Sequence, residues 1–161
     1  IGYYTLPLLV HAQAQLVHAC EWNENSVLAL RNNLQNNHVA DRCIVHEGDN
    51  RQTAPTIGAV ADRVLLGLLP SSGDGWPLAI QCLKETGGMI HIHANILDEQ
   101  LDSWLATTLE TFRRLAREAG RDYLTMEYIH VERVKSYAPY VGHYVADLRC
   151  DAAESKQPES S

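Results

Sequence analysis

Two acidic residues stand where short apolar runs end. Glu21 closes the apolar part of "HACEWNENS" (His18 to Ser26), and Asp49, followed by Asn50, closes "CIVHEGD" (Cys43 to Asp49). A carboxylate in such a place can accept from two neighbouring ribose hydroxyls. An acid beside an amide can take an adenine amino group while the amide both donates and accepts. Glu21 lies 19 positions after Gly2, close to the roughly 20-residue interval between a glycine turn and the ribose-binding acid of nucleotide-binding βαβ units. Either acid alone is better explained as a helix cap or a surface ion pair. Together, at successive strand ends after a glycine turn, they favour a nucleoside ligand.

A third group follows the next apolar run: Pro70, Ser71 and Ser72. The serines are candidates for substrate or cofactor-tail contacts, and equally for a helix cap. Ser71 does not make a hydrolase, since no G-x-S-x-G elbow surrounds it. His91 and His93 share one face of a strand but lack a third ligand at metal spacing, so hydrogen-bonded core histidines are expected and no metal site. Tyr3, Tyr4 and Trp22 suit the walls of a flat base, though such aromatics are about as often plain core.

The elements that must position these residues follow from hydrophobic period. Thr5 to Ala14 suits a short helix with Pro7 in its first turn. Gln15 to Trp22 reads as a strand, and from Asn23 the pattern is helical, with Val27, Leu28, Leu30 and Leu34 as its apolar face. Cys43 to Asp49 and Asp62 to Leu69 are strands, the second apolar enough to be covered on both faces. Helices are expected over Gly75 to Thr86 and Asp98 to Ala119, the latter with an inner face of Leu101, Trp104, Leu105, Leu109, Phe112 and Leu115. Between them Gly87 to Asn95 is a strand, and two more strands, joined through Pro139 to Gly142, close the chain as an antiparallel pair. Strands alternating with helices specify an α/β fold with a mostly parallel sheet and an antiparallel closing strand. In such a sheet ligands bind beyond the carboxyl ends of the strands, where the two acids and Pro70 lie.

The chain has 161 residues, 45% hydrophobic and 20% charged, which suits one globular domain over residues 1–150. Residues 151–161, polar and rich in Ser, read as a disordered tail. The formal charge is -7, and the cations Arg113, Arg114, Arg117 and Arg121 are interspersed with acids such as Glu118 and Asp122. Charge therefore suggests a solvated mixed face and by itself does not predict an RNA partner, and no DNA partner is expected. Apolar stretches are interrupted well short of the roughly 20 residues of a membrane span, so no membrane partner is expected. Cys20, Cys43, Cys82 and Cys150 form no C-x-x-C pair and read as reduced core thiols, as in a cytoplasmic protein.

Several segments together carry a family resemblance. "IGYYTLP", "HACEWN", "ALRNN", "VADRC", "GDNR", "ADRVLLGLLPSS", "GWPLA" and "GGMIHIHAN", with the later "RVKSYAP" and "HYVADL", occur in the order found in the tRNA wybutosine-synthesising protein 2 family. The pairing of "GDNR" with "LLGLLPSS" is the specific part, and the resemblance covers nearly the whole chain before the tail. It implies a Rossmann-like class I fold that uses S-adenosylmethionine (AdoMet) as co-substrate. The implied reaction transfers the 3-amino-3-carboxypropyl group to 4-demethylwyosine in phenylalanine tRNA and releases methylthioadenosine. By the same resemblance Glu21 would hold the ribose, with Asp49 and Asn50 at the adenine.

The related tRNA guanine N1-methyltransferases resemble Asn-Leu-Pro where this chain has Leu68, Leu69 and Pro70. An apolar side chain in place of the amide argues for the aminocarboxypropyl branch. The resemblance also leads one to expect that a first strand, most of the glycine loop and an upstream tRNA-docking region would precede Ile1. The alternatives are an N1-methyltransferase and a truncated, noncatalytic interaction module. No residue is singled out as catalytic.

Overall fold

Val27, Leu30 and Leu34 recur at helical spacing, and in the computed structural model, which describes residues 1–153, they are all buried. The chain divides into two compact units, Ile1–Gly58 and the part from Ala59 onward. The first contains α1 (Thr5–Val10), β1 (Val17–Glu21), α2 (Glu24–Asn36), β2 (Cys43–Glu47) and the short α3 (Asn50–Thr53). β1 and β2 pair in parallel, from Val17 opposite Cys43 to Glu21 opposite Glu47. A parallel pair needs a crossover, which α2 provides. Leu9, Leu30, Leu34 and Val39 form the core of this unit, with Val17, Ala19, Cys43 and Val45 packed against it from the sheet side.

Both ends of α2 are made by local chemistry. Asn23 caps its start, the side chain accepting from the Ser26 N–H at 3.1 Å. At its other end His38 adopts φ +55°, and the Val39 N–H bonds the Leu34 carbonyl at 3.0 Å, a left-handed termination that usually falls to glycine. A side chain in that conformation costs about 1–2 kcal/mol, against roughly 0.5–1 kcal/mol for glycine's greater freedom in the unfolded chain. His38→Gly is therefore expected to stabilise the chain by about 0.5–1 kcal/mol in urea unfolding; a loss of stability would show that the imidazole makes a compensating contact.

The second unit contains β3 (Arg63–Leu66), α4 (Trp76–Cys82), β4 (Gly87–Leu97), α5 (Leu101–Glu118), β5 (Leu124–Ala138) and β6 (Val141–Ala152). Its sheet has the order β3–β4–β6–β5, with β3 and β4 parallel and the other pairs antiparallel. Side chains alternate across a strand, so Ile90 and Ile92 join Leu148 and Cys150 in one core with Ile80, Phe112 and Ala116 of the helices. Trp76 stacks on Phe112 with ring centroids 5.0 Å apart. The opposite set on β4, His91, His93 and Asn95, lies beside Asp147 and His143 of β6.

Several expectations shift. The strands form two sheets rather than one, with β1 and β3 each at an edge; alternation along a sequence identifies strands but not their pairing. Leu28 is 54% exposed, being about 100° around the helix from Val27. α1 stops at Val10, where the Gln13 side-chain amide donates to the Val10 carbonyl at 2.7 Å. α4 stops at Cys82, and the carbonyls of Ile80 and Lys84 accept from Arg121, which is 6% exposed and not part of a solvated face. Arg114 and Arg117 do form that mixed-charge face, paired with Glu118 and Glu110. Cys20 is exposed rather than core, whereas Cys150 is buried, and none of the four cysteines is in a disulfide. β6 runs to Ala152, past the expected boundary at 150; the rest of the expected tail, residues 154–161, lies outside the described residues. No helix among the described residues is long and apolar enough to cross a membrane.

Candidate functional site

Glu21 sits at the carboxyl end of β1, where its carbonyl accepts from the Gly48 N–H at 2.9 Å. That bond ties the ends of the two parallel strands together. The Glu21 Oε1 atom accepts from the Asn23 N–H at 3.0 Å, while Oε2 has no partner among the described residues. The residue that caps α2 thus also orients the acid, leaving one carboxylate oxygen for a ligand.

Asp49 lies at the same edge, two residues past β2, as the cap of α3. Its Oδ1 accepts from the Arg51 N–H at 2.9 Å, and both oxygens accept from the Arg51 guanidinium. These bonds hold the Asp49 carboxyl below the usual carboxylate range. Without ligand Asp49 is therefore a helix cap and an ion pair, and an adenine amino group there would compete with Arg51. Asn50, the first residue of α3, is exposed beside it.

Gly2 has φ +99°, and a Cβ on it would lie 2.8 Å from Leu30 Cδ1, so the turn into α1 and its packing on α2 require glycine there. Tyr3 and Trp22 are 79% and 75% exposed, and Tyr4 is 41% exposed. They are not core.

In the second unit, Pro70 follows β3, and its carbonyl accepts from the Asn95 N–H of β4 at 3.2 Å. Pro70 and Ser71 are exposed with Leu68. Ser71 Oγ accepts from the Gly73 N–H at 3.3 Å, making a local turn. Ser72 is 3% exposed, and its hydroxyl accepts from the Trp76 indole at 3.1 Å. Neither serine makes a side-chain cap of α4, whose cap position is Gly75; Ser72 instead orients Trp76.

The histidines are hydrogen-bonded as expected. His91 Nε2 lies 3.1 Å from Arg63 Nη1, which can only donate, so Nδ1 is the donor to Asp147 at 2.6 Å. His93 Nδ1 lies 3.1 Å from His143 Nε2. His143 escaped the sequence reading because its place opposite Asn95 depends on the β4–β6 register. Among the described residues no three of His, Cys, Asp and Glu are grouped to hold a metal ion.

Burial pushes the pKa of His93 down, reinforced by His143 and His91 and opposed by Asp147. Burial and Lys135 do the same at His143. His18, stacked on His46 in the first unit, shifts the same way. Unfolded imidazoles take up protons near pH 6.5, where these folded ones stay neutral. Stability is accordingly complete above about pH 6.5 and declines as pH falls towards the lowered folded values. Urea unfolding at pH 7.5 and 5.5 should show that loss, with His93→Gln reducing it; stability that rose with acid would contradict the burial of neutral imidazoles.

Parallel strand–helix–strand units, with acids and a Pro-Ser loop at their carboxyl ends, define the chain as a Rossmann-like α/β protein of the class I AdoMet-dependent transferase type. The described fold is similar to TYW2 of M. jannaschii, solved in complex with AdoMet: the TM-score is 0.81 at 26% identity, covering 94% of this chain and 64% of that one. It is also similar to TYW2 of P. horikoshii in complex with MeSAdo, with a TM-score of 0.76 at 30% identity, covering 92% of this chain and 52% of that one. The chain belongs to the TRM5/TYW2 methyltransferase domain family, whose model matches residues 1–124. Among curated proteins, "tRNA wybutosine-synthesizing protein 2/3/4" of Oryza sativa subsp. japonica is 50% identical over 153 residues, 94% of this chain and 14% of that protein. The "tRNA wybutosine-synthesizing protein 2 homolog" of Danio rerio is 42% identical over 181 residues, 93% of this chain and 44% of that protein. This chain thus spans less than half the length of these curated relatives.

Proposed function

We propose that the chain, as one transferase domain over residues 1–150, takes part in transferring the 3-amino-3-carboxypropyl group of AdoMet to 4-demethylwyosine in phenylalanine tRNA, in the cytoplasm. The observation that carries this reading is the Glu21 carboxylate, held by Asn23 at the end of a parallel strand with Oε2 open. It stands in a family member whose relatives are named for wybutosine synthesis. Glu21 takes the ribose hydroxyls, Asp49 and Asn50 the adenine edge, and Gly2 shapes the turn beside them. Pro70, Ser71 and Ser72 of the second unit are assigned contacts to the substrate or to the tail of the co-substrate, with Ser72 also holding the Trp76 indole.

The positive sulfur of AdoMet activates all three attached carbons, so the protein's task is to select which one faces the acceptor. An exposed Leu68 and Leu69 before Pro70 offer no amide to the acceptor base, which favours carbon transfer over N1-methylation. The residues named need no metal.

The by-product decides. With AdoMet and tRNA carrying 4-demethylwyosine, the chain is expected to release methylthioadenosine. S-adenosylhomocysteine from a parallel reaction with tRNA that has unmodified guanine at the same position would instead make it an N1-methyltransferase. Neither product, from folded chain, would leave it an interaction module with no transferase activity of its own.

A further inference from the structure

The β5–β6 hairpin ends in an unbroken run of exposed residues, Glu132 to Tyr140, opposite the buried Gly142, His143 and Tyr144 of β6. Tyr140 is 82% and Tyr137 65% exposed. The turn stands at the edge where ligands of such a sheet bind. The Tyr140 carbonyl accepts from the Asp98 N–H at 2.9 Å, just past β4, and the Asn95 N–H of β4 bonds the Pro70 carbonyl. Hairpin end and Pro70 loop therefore share the carboxyl end of β4. Asp98 also makes the support rigid: its carboxylate accepts from Arg133 Nε and Nη2, both at 3.1 Å, and from the Tyr144 hydroxyl at 2.8 Å. Rings held on a rigid support lose little freedom when a partner covers them.

The same hairpin carries an unpartnered cation. Among the described residues every arginine, and Lys84, has a carboxylate, carbonyl or imidazole acceptor. The Lys135 ammonium alone has none, in a chain whose net charge is -7. Lys135 pairs with His143, and Arg133 with the neighbouring Tyr144, so Lys135 lies on the opposite face from Arg133. Asp98, held by Arg133, does not neutralise it. Glu132 shares the Lys135 face but lies 3.4 Å from His130.

We propose that the hairpin end docks the single-stranded loop of the substrate RNA, with Lys135 on a phosphate and Tyr137 and Tyr140 stacking unpaired bases, an assignment that rests on the tRNA reading above. The occupant must bring an anion and flat apolar faces within a few residues of one another. Single-stranded RNA does so, because phosphate and splayed base alternate along it. An added protein strand fits less well. β5 is an edge strand, but its pairing with β6 shifts register between Arg133 and Lys135 and again between Ser136 and Ala138, and such bulges blunt an edge against strand addition. Stacking tolerates any base, so this surface positions the RNA and leaves the choice of acceptor to the reaction site.

Fluorescence anisotropy over a range of salt concentrations tests it, with the anticodon stem-loop of phenylalanine tRNA carrying 4-demethylwyosine and, for comparison, a duplex of the same stem without the loop. The stem-loop should bind the chain more tightly than the duplex. Tyr140 has φ +61°, so Tyr140→Gly removes the ring while suiting the turn. That change and Tyr137→Ala should each weaken stem-loop binding about fivefold to a hundredfold, the loss of one base stack, and leave the salt dependence as it was. Tyr137→Phe should bind like the wild type. Lys135→Gln should instead lower the slope of log affinity against log salt by about 0.7, one phosphate contact. Circular dichroism checks that each variant is folded. Tyrosine variants that bind like the wild type, or a wild type with no preference for the loop, overturn the assignment. So does a dimer in sedimentation that Tyr137→Ala dissolves, which would put a second copy on the hairpin. Methylthioadenosine release by the wild type reports separately on the transferase reading, which stands if release occurs without the hairpin contact and falls if it fails.

Discussion

Glu21→Gln is expected to weaken AdoMet binding by about tenfold to a hundredfold while leaving thermal unfolding of the chain almost unchanged. The substitution keeps an amide oxygen for the Asn23 N–H, the one bond of the side chain among the described residues, so the start of α2 is preserved. It removes the negative charge and replaces Oε2, the oxygen left open for a ribose hydroxyl, with a donor. A hydrogen bond to a charged group contributes about 1.5–3 kcal/mol, and each 1.4 kcal/mol is about tenfold in affinity. Calorimetry on wild type and variant measures it. Equal affinities would remove Glu21 from the cofactor site and return it to its capping role. Asp49→Asn is the less clean companion, because it also breaks the Arg51 pair.

Gly87→Ala should cost the second unit more than about 4 kcal/mol, a loss reserved for changes the structure cannot absorb. Gly87 has φ +95°, and a Cβ there would lie 2.0 Å from the Cys150 carbonyl oxygen and 2.9 Å from its carbon. The left-handed backbone alone costs about 1–2 kcal/mol. The larger part comes from the obstacle, which is main chain of β6 and cannot swing aside as a side chain would. Relief requires parting β4 from β6 where Gly87 pairs with Asp151 and Gly88 with Cys150, beside the core residues Ile90 and Leu148. Urea unfolding of the variant measures the loss. A cost under about 1 kcal/mol would mean that the two strands do not approach this closely at their ends.

Much of the fold was legible because its determinants are local. Asn23 begins a helix through its own side chain, Leu101 to Leu115 recur at helical spacing in α5, and Pro139 lies in the turn between two strands that pair antiparallel. The cofactor edge was legible for the same reason: an acid at the end of an apolar run, followed by a helix cap, is a pattern of neighbours. Tyr3 and Trp22, read as either core or ligand walls, needed the structure to show them exposed.

Period, capping and motif are properties of adjacent residues, so the sequence specified that strands and helices alternate, that Glu21 ends a strand and which segments resemble a known family, while the strand expected to reach Asp49 ends at Glu47 because Asp49 caps α3. Tertiary structure alone decided that the strands form two sheets, that Arg121 is buried against the carbonyls of Ile80 and Lys84, and that Ser72 holds an indole. It alone set His143 opposite Asn95. Each of these depends on register or on contacts between segments far apart in the chain, and a one-residue slip between β4 and β6 would have sent those side chains to the other face.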